Sequence, residues 1–312
     1  MKTANDALRI IFMGTPEFAV ESLKMLVEHD VNVVAVITAP DRPKGRGKAI
    51  ATSPVKDYAV SVNIPLLQPT NLKNAEFLEE LKSYRADLQV VVAFRMLPVA
   101  VWDMPRLGTF NLHASLLPQY RGAAPINWAI MNGETRTGVT TFFLKHEIDT
   151  GGIIFQEDEM ISEADSVGDL YERLMHKGAR LVLKTIKAIA NDEYTETPQK
   201  ETANLKKAPK IYKETCEINW DRPAKDLYNF IRGLSPYPAA WTTISGKTVK
   251  IYETEVVTTD MILKPGEFAT DDKSWAYVGT NHGVISILSL QPEGKRRMQI
   301  KEFLAGNASL FH

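Results

Sequence analysis

The chain has 312 residues, of which 44% are hydrophobic and 24% charged, and its formal net charge is -1. That length exceeds one ordinary hydrophobic core, so two domains are expected, and the near-neutral balance excludes a global attraction to nucleic acid, leaving only local patches. The single cysteine, Cys216, excludes an intrachain disulfide framework and a paired-cysteine metal site, and fits a reducing compartment. The opening residues Met1 to Asp6 do not resemble a signal or transit peptide, and no apolar run reaches membrane-span length, so a cytoplasmic protein is expected. No hydrophobic assembly segment stands out, which points to a monomer.

In chain order, Leu8 to Met13 reads as a buried strand closed by Gly14-Thr15-Pro16. Phe18 to Val27 continues with helical spacing, with Pro16 suited to a first helical turn. Val31 to Thr38 is a second strand, and Ala39 to Ala51 a loop rich in Pro, Gly and basic residues. Ser53-Pro54 starts a helix, with the serine as cap. Ala75 to Tyr84 is an amphipathic helix. Leu88 to Ala93 and Thr109 to Leu112 are strands, and Ala124 to Asn132 is a short helix opened by Pro125. Gly138 to Leu144 and Ile153 to Met160 read as strands, and Ser166 to Ala190 as a long helix capped by Ser166. This alternation predicts an α/β domain with a doubly wound, mostly parallel, Rossmann-like sheet over residues 1–190. Residues 191–208 are polar and read as a linker. Residues 209–312 change character: a helix at Pro223 to Gly233 accompanies short β-prone pieces at Ala240 to Ile244, Thr248 to Tyr252, Trp275 to Val278 and Val284 to Leu290. They predict a small OB-like antiparallel β-barrel of roughly a hundred residues.

The most informative stretch is Asn111-Leu112-His113-Ala114-Ser115-Leu116-Leu117-Pro118, followed downstream by Asp149-Thr150-Gly151. An amide, an imidazole and a carboxylate are the parts needed to move an acyl group onto an amine. Asn111 and His113 are two apart, so on a strand they share a face. An Asn-x-His triplet is common by chance, and Asp149 before glycines also suits an ordinary turn. The setting favours chemistry, because a strand end leading through a loop into a helix is where parallel α/β folds place ligands.

Gly14-Thr15-Pro16-Glu17-Phe18 lacks the second and third glycines of a dinucleotide fingerprint, and no phosphate-binding P-loop is present, which disfavours a dehydrogenase. Asp41 to Lys48 places the cations Arg42, Lys44, Arg46 and Lys48 on a glycine-containing loop. A second basic cluster joins Lys206, Lys207 and Lys210 with Lys213, and a third is Lys295-Arg296-Arg297 with Lys301 beyond. A charge run is most often a solvated surface, but three separated patches favour a nucleic-acid partner. The histidines have no ligand-like spacing, so no metal site is expected. Val91 to Pro98 reads as a buried strand running into a loop.

Taken together, these residues resemble the folate-dependent formyltransferases over nearly the whole length. The resemblance is carried by Ile11 to Phe18, the loop Asp41 to Lys48, Asn111 to Pro118, Arg121-Gly122-Ala123-Ala124-Pro125 and Asp149-Thr150-Gly151. Ile218-Asn219-Trp220 and Leu288 to Pro292 extend it to the C-terminal part. The Asn-x-His and Asp-Thr-Gly motifs belong to the whole family. The basic loop and second domain narrow the resemblance to the branch acting on initiator methionyl-tRNA. It implies 10-formyltetrahydrofolate as co-substrate and formyl donor, and the methionyl α-amine as acceptor. It implies Asn111, His113 and Asp149 as the catalytic trio, and Ser115, Leu116, Leu117 and Pro118 as a folate-binding segment. Phe94, Arg95, Met96 and Leu97 match a wall of the pterin pocket, in a run more compact than the glycine-containing one many members carry. Arg46 matches an arginine of the tRNA-contacting loop, and the barrel matches a tRNA-binding domain. Two alternatives remain at this point: the same chemistry on an amino sugar nucleotide, and a non-catalytic RNA-binding relative.

Overall fold

The computed structural model describes residues 8–44, 49–146, 149–200 and 204–311. Their contacts divide the chain into two compact units, the first drawn from Met1–Arg121, Gly138–Glu159 and Tyr171–Lys206, the second from Gly122–Thr137, Met160–Leu170 and Lys207–His312.

The first unit is built on a seven-stranded sheet. Its spatial order is Ile153–Met160, Arg136–Phe143, Thr109–His113, Leu88–Val92, Ile10–Gly14, Val33–Ile37 and Leu66–Leu67. From Leu66–Leu67 to Thr109–His113 all neighbours run parallel, and Arg136–Phe143 returns antiparallel. Ile10–Gly14 and Leu88–Val92 are buried at every position. Both faces of a parallel sheet are covered, so such strands read as near-continuous apolar runs, interrupted here only by the buried Gln89. Gly14 has a packing role: a Cβ there would lie 2.5 Å from the Cβ of Ala19. The glycine lets the helix Glu17–Glu28 begin close against the sheet, and Pro16 takes the N-cap position just before it.

Helix starts follow local chemistry. Ser53 Oγ accepts from Lys56 N at 3.0 Å to open Pro54–Ser61. Asn74 Oδ1 accepts from Glu76 N at 2.8 Å to open Ala75–Ser83. In the second unit, Ser166 and Asp169 exchange bonds as a capping box, with Ser166 N donating to Asp169 Oδ2 at 2.8 Å and Asp169 N donating to Ser166 Oγ at 3.3 Å.

Two stretches of the first unit read as loop or linker in the sequence make specific contacts. The loop over 39–51 contains an antiparallel ribbon, Arg42–Lys44 paired with Ala49–Ala51. Its base is fastened by Asp41, which pairs with Lys56 and accepts from Gln68 Nε2 at 2.9 Å. These hydrogen bonds, Lys56 foremost, hold the Asp41 carboxyl below the usual range. The sequence hides this pairing, because only Ile50 and its alanine neighbours carry any apolar signal. Arg46 and Lys48 lie outside the described residues. The polar stretch after residue 191 is not a bare tether: Ile153 N donates to Thr197 O at 2.8 Å, Thr197 N returns a bond at 2.9 Å, and Tyr120 N donates to Lys206 O at 2.7 Å. These are backbone bonds, which polar composition does not reveal.

The second unit carries an antiparallel sheet in the order Ala240–Ile244, Lys247–Val257, Val284–Pro292, Ala276–Gly279 and Phe268–Thr270, with Met298–Gln299 pairing Val284–Pro292. Register shifts between Ile251 and Thr254 accompany the curl of this OB-like half-barrel. Leu227 and Ile231 of the helix Ala224–Arg232, Phe303 of Ile300–Asn307, and Met131 of Pro125–Met131 share its core with Ile251 and Ile285. The helix Ile300–Asn307 was not anticipated from the sequence.

Phe110 is fully buried in the strand that carries the site. Truncation to alanine removes its contacts and leaves a cavity, so Phe110→Ala should cost about 3–5 kcal/mol. Denaturant unfolding of the full chain would show this; a loss under about 1 kcal/mol would contradict the packing described.

Candidate active site

The strand Thr109–His113 ends at the carboxyl edge of the parallel sheet and delivers both predicted side chains. Val91 pairs with Asn111, and Thr140 with His113, which fixes the register. Asn111 is half-buried, and its amide bonds to no other described residue. His113 is buried, and its Nε2 lies 2.8 Å from the carbonyl oxygen of Tyr120. A carbonyl only accepts, so Nε2 carries the proton and Nδ1 keeps a lone pair when the ring is neutral. Burial pushes the His113 pKa down, while the Asp149 carboxylate and the Tyr120 carbonyl pull it back by less. The ring is therefore neutral at pH 7 and placed to gain a proton with Asp149 as counter-charge.

The loop after the strand is held from behind. Ser115 Oγ donates to Gln119 O at 2.6 Å, and Thr140 Oγ1 donates to Ser115 O at 2.6 Å. Leu117 N donates to Thr140 Oγ1 at 3.2 Å, and Gln156 Nε2 donates to Leu117 O at 2.9 Å. The Leu117-Pro118 peptide is cis. Ser115 and Leu117 are thus committed to shaping the loop, with Leu116 and Pro118 half-buried along it.

The Asp149 turn has its own constraint. Asp149 adopts φ 55, in the left-handed region, and a Cβ on Gly151 would fall 1.5 Å from the carbonyl oxygen of Phe143. The Asp-Thr-Gly order is therefore steric as well as chemical. Gln199 Nε2 donates to the carbonyl oxygens of Asp149 at 2.7 Å and Gly151 at 2.8 Å.

A second wall follows Leu88–Val92. Phe94 and Leu97 pack onto the core of the first unit, while Met96 is 72% exposed. Arg95 donates to the carbonyls of Pro69 and Thr70, the latter at 3.0 Å. Its Nε is buried without a hydrogen-bond partner. Burial, then the nearby Arg42 charge, lowers its pKa.

Comparison with known proteins fits this geometry. The sequence profile described as formyl transferase matches residues 8–186. The chain belongs to the formyl transferase family. A further profile, the formyl transferase C-terminal domain, matches residues 210–308. A methionyl-tRNA formyltransferase from Bacteroides fragilis is 55% identical over 309 residues, covering 96% of this chain and 95% of the relative. Among solved structures, HypX from Aquifex aeolicus in complex with tetrahydrofolic acid matches with TM-score 0.64 and 20% identity over 97% of this chain. That match covers 47% of HypX, so the chain spans about half its length. The N-formyltransferase from Helicobacter canadensis, with folinic acid and dTDP-3-aminofucose, gives TM-score 0.67 and 22% identity over 91% of this chain and 99% of the other. At these identities the solved structures speak to the fold of this formyl transferase alone.

Of the basic residues singled out in the sequence, Arg42, Lys206, Lys207 and Lys210 are exposed. Lys44 lies in the ribbon. Lys210 sits 5.3 Å from the ring centroid of Tyr212, and Lys213 5.7 Å from that of Trp241. The cluster at 295–297 is largely neutralised: Arg296 pairs with Glu302 and Arg297 with Glu253. Sequence reasoning passed over Tyr120, Thr140, Gln156 and Gln199. Their roles run through hydrogen bonds that involve backbone carbonyls, and no spacing rule signals them.

His113 makes a testable contribution to pH dependence. Its folded pKa lies below the unfolded value of about 6.5, so the unfolded chain binds the proton first on acidification. Stability should therefore fall as pH drops below about 6.5, and His113→Asn should flatten that fall. Denaturant midpoints of the two proteins across pH 5 to 8 check this; equal slopes would contradict a depressed imidazole pKa.

Proposed function

We propose that this formyl transferase moves the formyl group of 10-formyltetrahydrofolate to the α-amine of methionine on initiator tRNA, producing N-formylmethionyl-tRNA for translation initiation. In this reading it works as a cytoplasmic monomer, with residues 1–190 catalytic, 191–208 linking, and 209–312 contacting tRNA. The observation that carries the chemistry is the neutral His113, its Nε2 bonded to the Tyr120 carbonyl and its ring acted on by the Asp149 charge, with Asn111 on the same strand and its amide bonded to no other described residue.

The folate supplies an activated formyl group on N10. The residues near Arg95 suit it: a buried, unpartnered Nε–H beside the Phe94 ring offers a donor and an apolar face to a pterin. Ser115 to Pro118 shape the neighbouring wall.

The acceptor must attack as a neutral amine, and free α-amines titrate near pH ~8. Attack forms the new C–N bond and a tetrahedral oxyanion. Asn111 donates its amide N–H to that oxygen. His113 Nδ1 takes the amine proton, and Asp149 and the Tyr120 carbonyl stabilise the resulting imidazolium. The same proton returns from His113 to N10 as the old C–N bond breaks, so no charge is left on the enzyme. Arg42, Lys44, Arg46, Lys48, Lys206, Lys207 and Lys210 contact the tRNA backbone.

Asp149→Asn and His113→Ala should lower kcat by about 100-fold or more and change the tRNA KM little. A loss confined to KM would contradict the roles. Arg46→Ala should instead raise the tRNA KM, by a factor that shrinks as salt rises. A factor independent of ionic strength would exclude a phosphate contact. The acceptor itself is tested by offering 10-formyltetrahydrofolate with charged initiator tRNA, free methionine or an amino sugar nucleotide. Formylation of the charged tRNA alone is expected, and transfer only to the sugar would overturn the acceptor.

A further inference from the structure

We infer that Gln199 is a positioning residue for the reaction, holding the Asp149 turn in register with His113. The inference rests on the proposed formyl transfer. Gln199 sits in the stretch that composition marks as a linker, yet its amide is saturated on both sides. Nε2 carries two hydrogens, and they go to the carbonyls of Asp149 (2.7 Å) and Gly151 (2.8 Å). Oε1 accepts two bonds from Arg121, from Nε at 3.0 Å and Nη2 at 2.7 Å. Arg121 directly follows Tyr120, whose carbonyl accepts from His113 Nε2. One side-chain amide therefore joins the turn that bears the carboxylate to the side chain of Arg121, the residue next to the one whose carbonyl orients the imidazole.

The position of Gln199 is itself fixed on both sides in sequence. Thr197 exchanges two backbone bonds with Ile153, at 2.8 and 2.9 Å, and the Lys206 carbonyl accepts from Tyr120 N at 2.7 Å. Only an amide side chain offers the donor pair and the acceptor together, and asparagine is one methylene too short to keep both ends. Such a clamp suits the turn, because Asp149 is held at φ 55, a left-handed backbone uncommon for a non-glycine residue. Misplacement of a catalytic group by about 1 Å can cost around 100-fold in rate.

Two variants of the full chain test this. Gln199→Glu keeps the acceptor for Arg121 but sets a carboxylate oxygen against two carbonyl oxygens. Gln199→Leu removes both ends without adding charge. Each should lower kcat by about 10- to 100-fold with the KM for charged tRNA and for folate within about threefold. Gln199→Leu should also move the His113 titration, followed by NMR without substrate, to lower pH, because Asp149 is the charged group acting on that ring. A residue that merely anchors Arg121 would leave Gln199→Glu fully active. A kcat for Gln199→Glu within about twofold of wild type, or a loss in KM alone, overturns the inference; should Gln199→Leu not fold, the glutamate variant decides. Absence of formyl transfer by the wild-type chain would instead count against the proposed reaction, and the substrate-free titration would still report on Gln199.

Discussion

The buried hydrogen bond from His113 Nε2 to the Tyr120 carbonyl, 2.8 Å long, sets which nitrogen of the ring is left to accept a proton. With Nε2 protonated, the neutral ring has its lone pair on Nδ1 and acts there as an acceptor. Tyr120 itself holds a left-handed backbone, φ 59, at a cost of about 1–2 kcal/mol for a non-glycine residue. The fold sustains it because Tyr120 is buried and its N–H is bonded to Lys206 O. Strain of this kind persists where the surroundings over-determine it, and here it aims one carbonyl at one imidazole.

Burial and charge then work against each other on the same ring. Desolvation favours the neutral His113 ring, and the Asp149 charge lowers the cost of protonating it. Asn111 adds a donor that no other described residue occupies. The strand Thr109–His113 presents both side chains at the carboxyl edge of a parallel sheet, and Gly151 lets the Asp149 turn close against Phe143. Each contribution is local, and the sheet brings them within reach of one substrate.

Much of this was legible in the sequence because it rests on periodicity and on side-chain chemistry. The apolar run Ile10–Gly14 and the near-continuous one at Leu88–Val92, broken only by Gln89, announce buried parallel strands, and the two-residue spacing of Asn111 and His113 announces a shared face. What was not legible rests on backbone groups or on contacts distant in sequence. The ribbon Arg42–Lys44 with Ala49–Ala51 is too short and polar to alternate. The attachment of Thr197 and Gln199 to residues near 150 spans about fifty positions and involves polar residues that also fill ordinary linkers. The Lys295 to Arg297 cluster looked like an open basic patch, because pairing with Glu253 and Glu302 depends on the fold.

The tautomer of His113 tests the central claim most directly. Long-range nitrogen–proton NMR of the full chain with labelled histidine distinguishes Nε2–H from Nδ1–H and both from the imidazolium. At pH 7 the hydrogen bond to Tyr120 predicts a neutral ring protonated on Nε2, and replacement by the charged form only below about pH 6.5. A ring protonated on Nδ1, or charged at pH 7, would contradict the account.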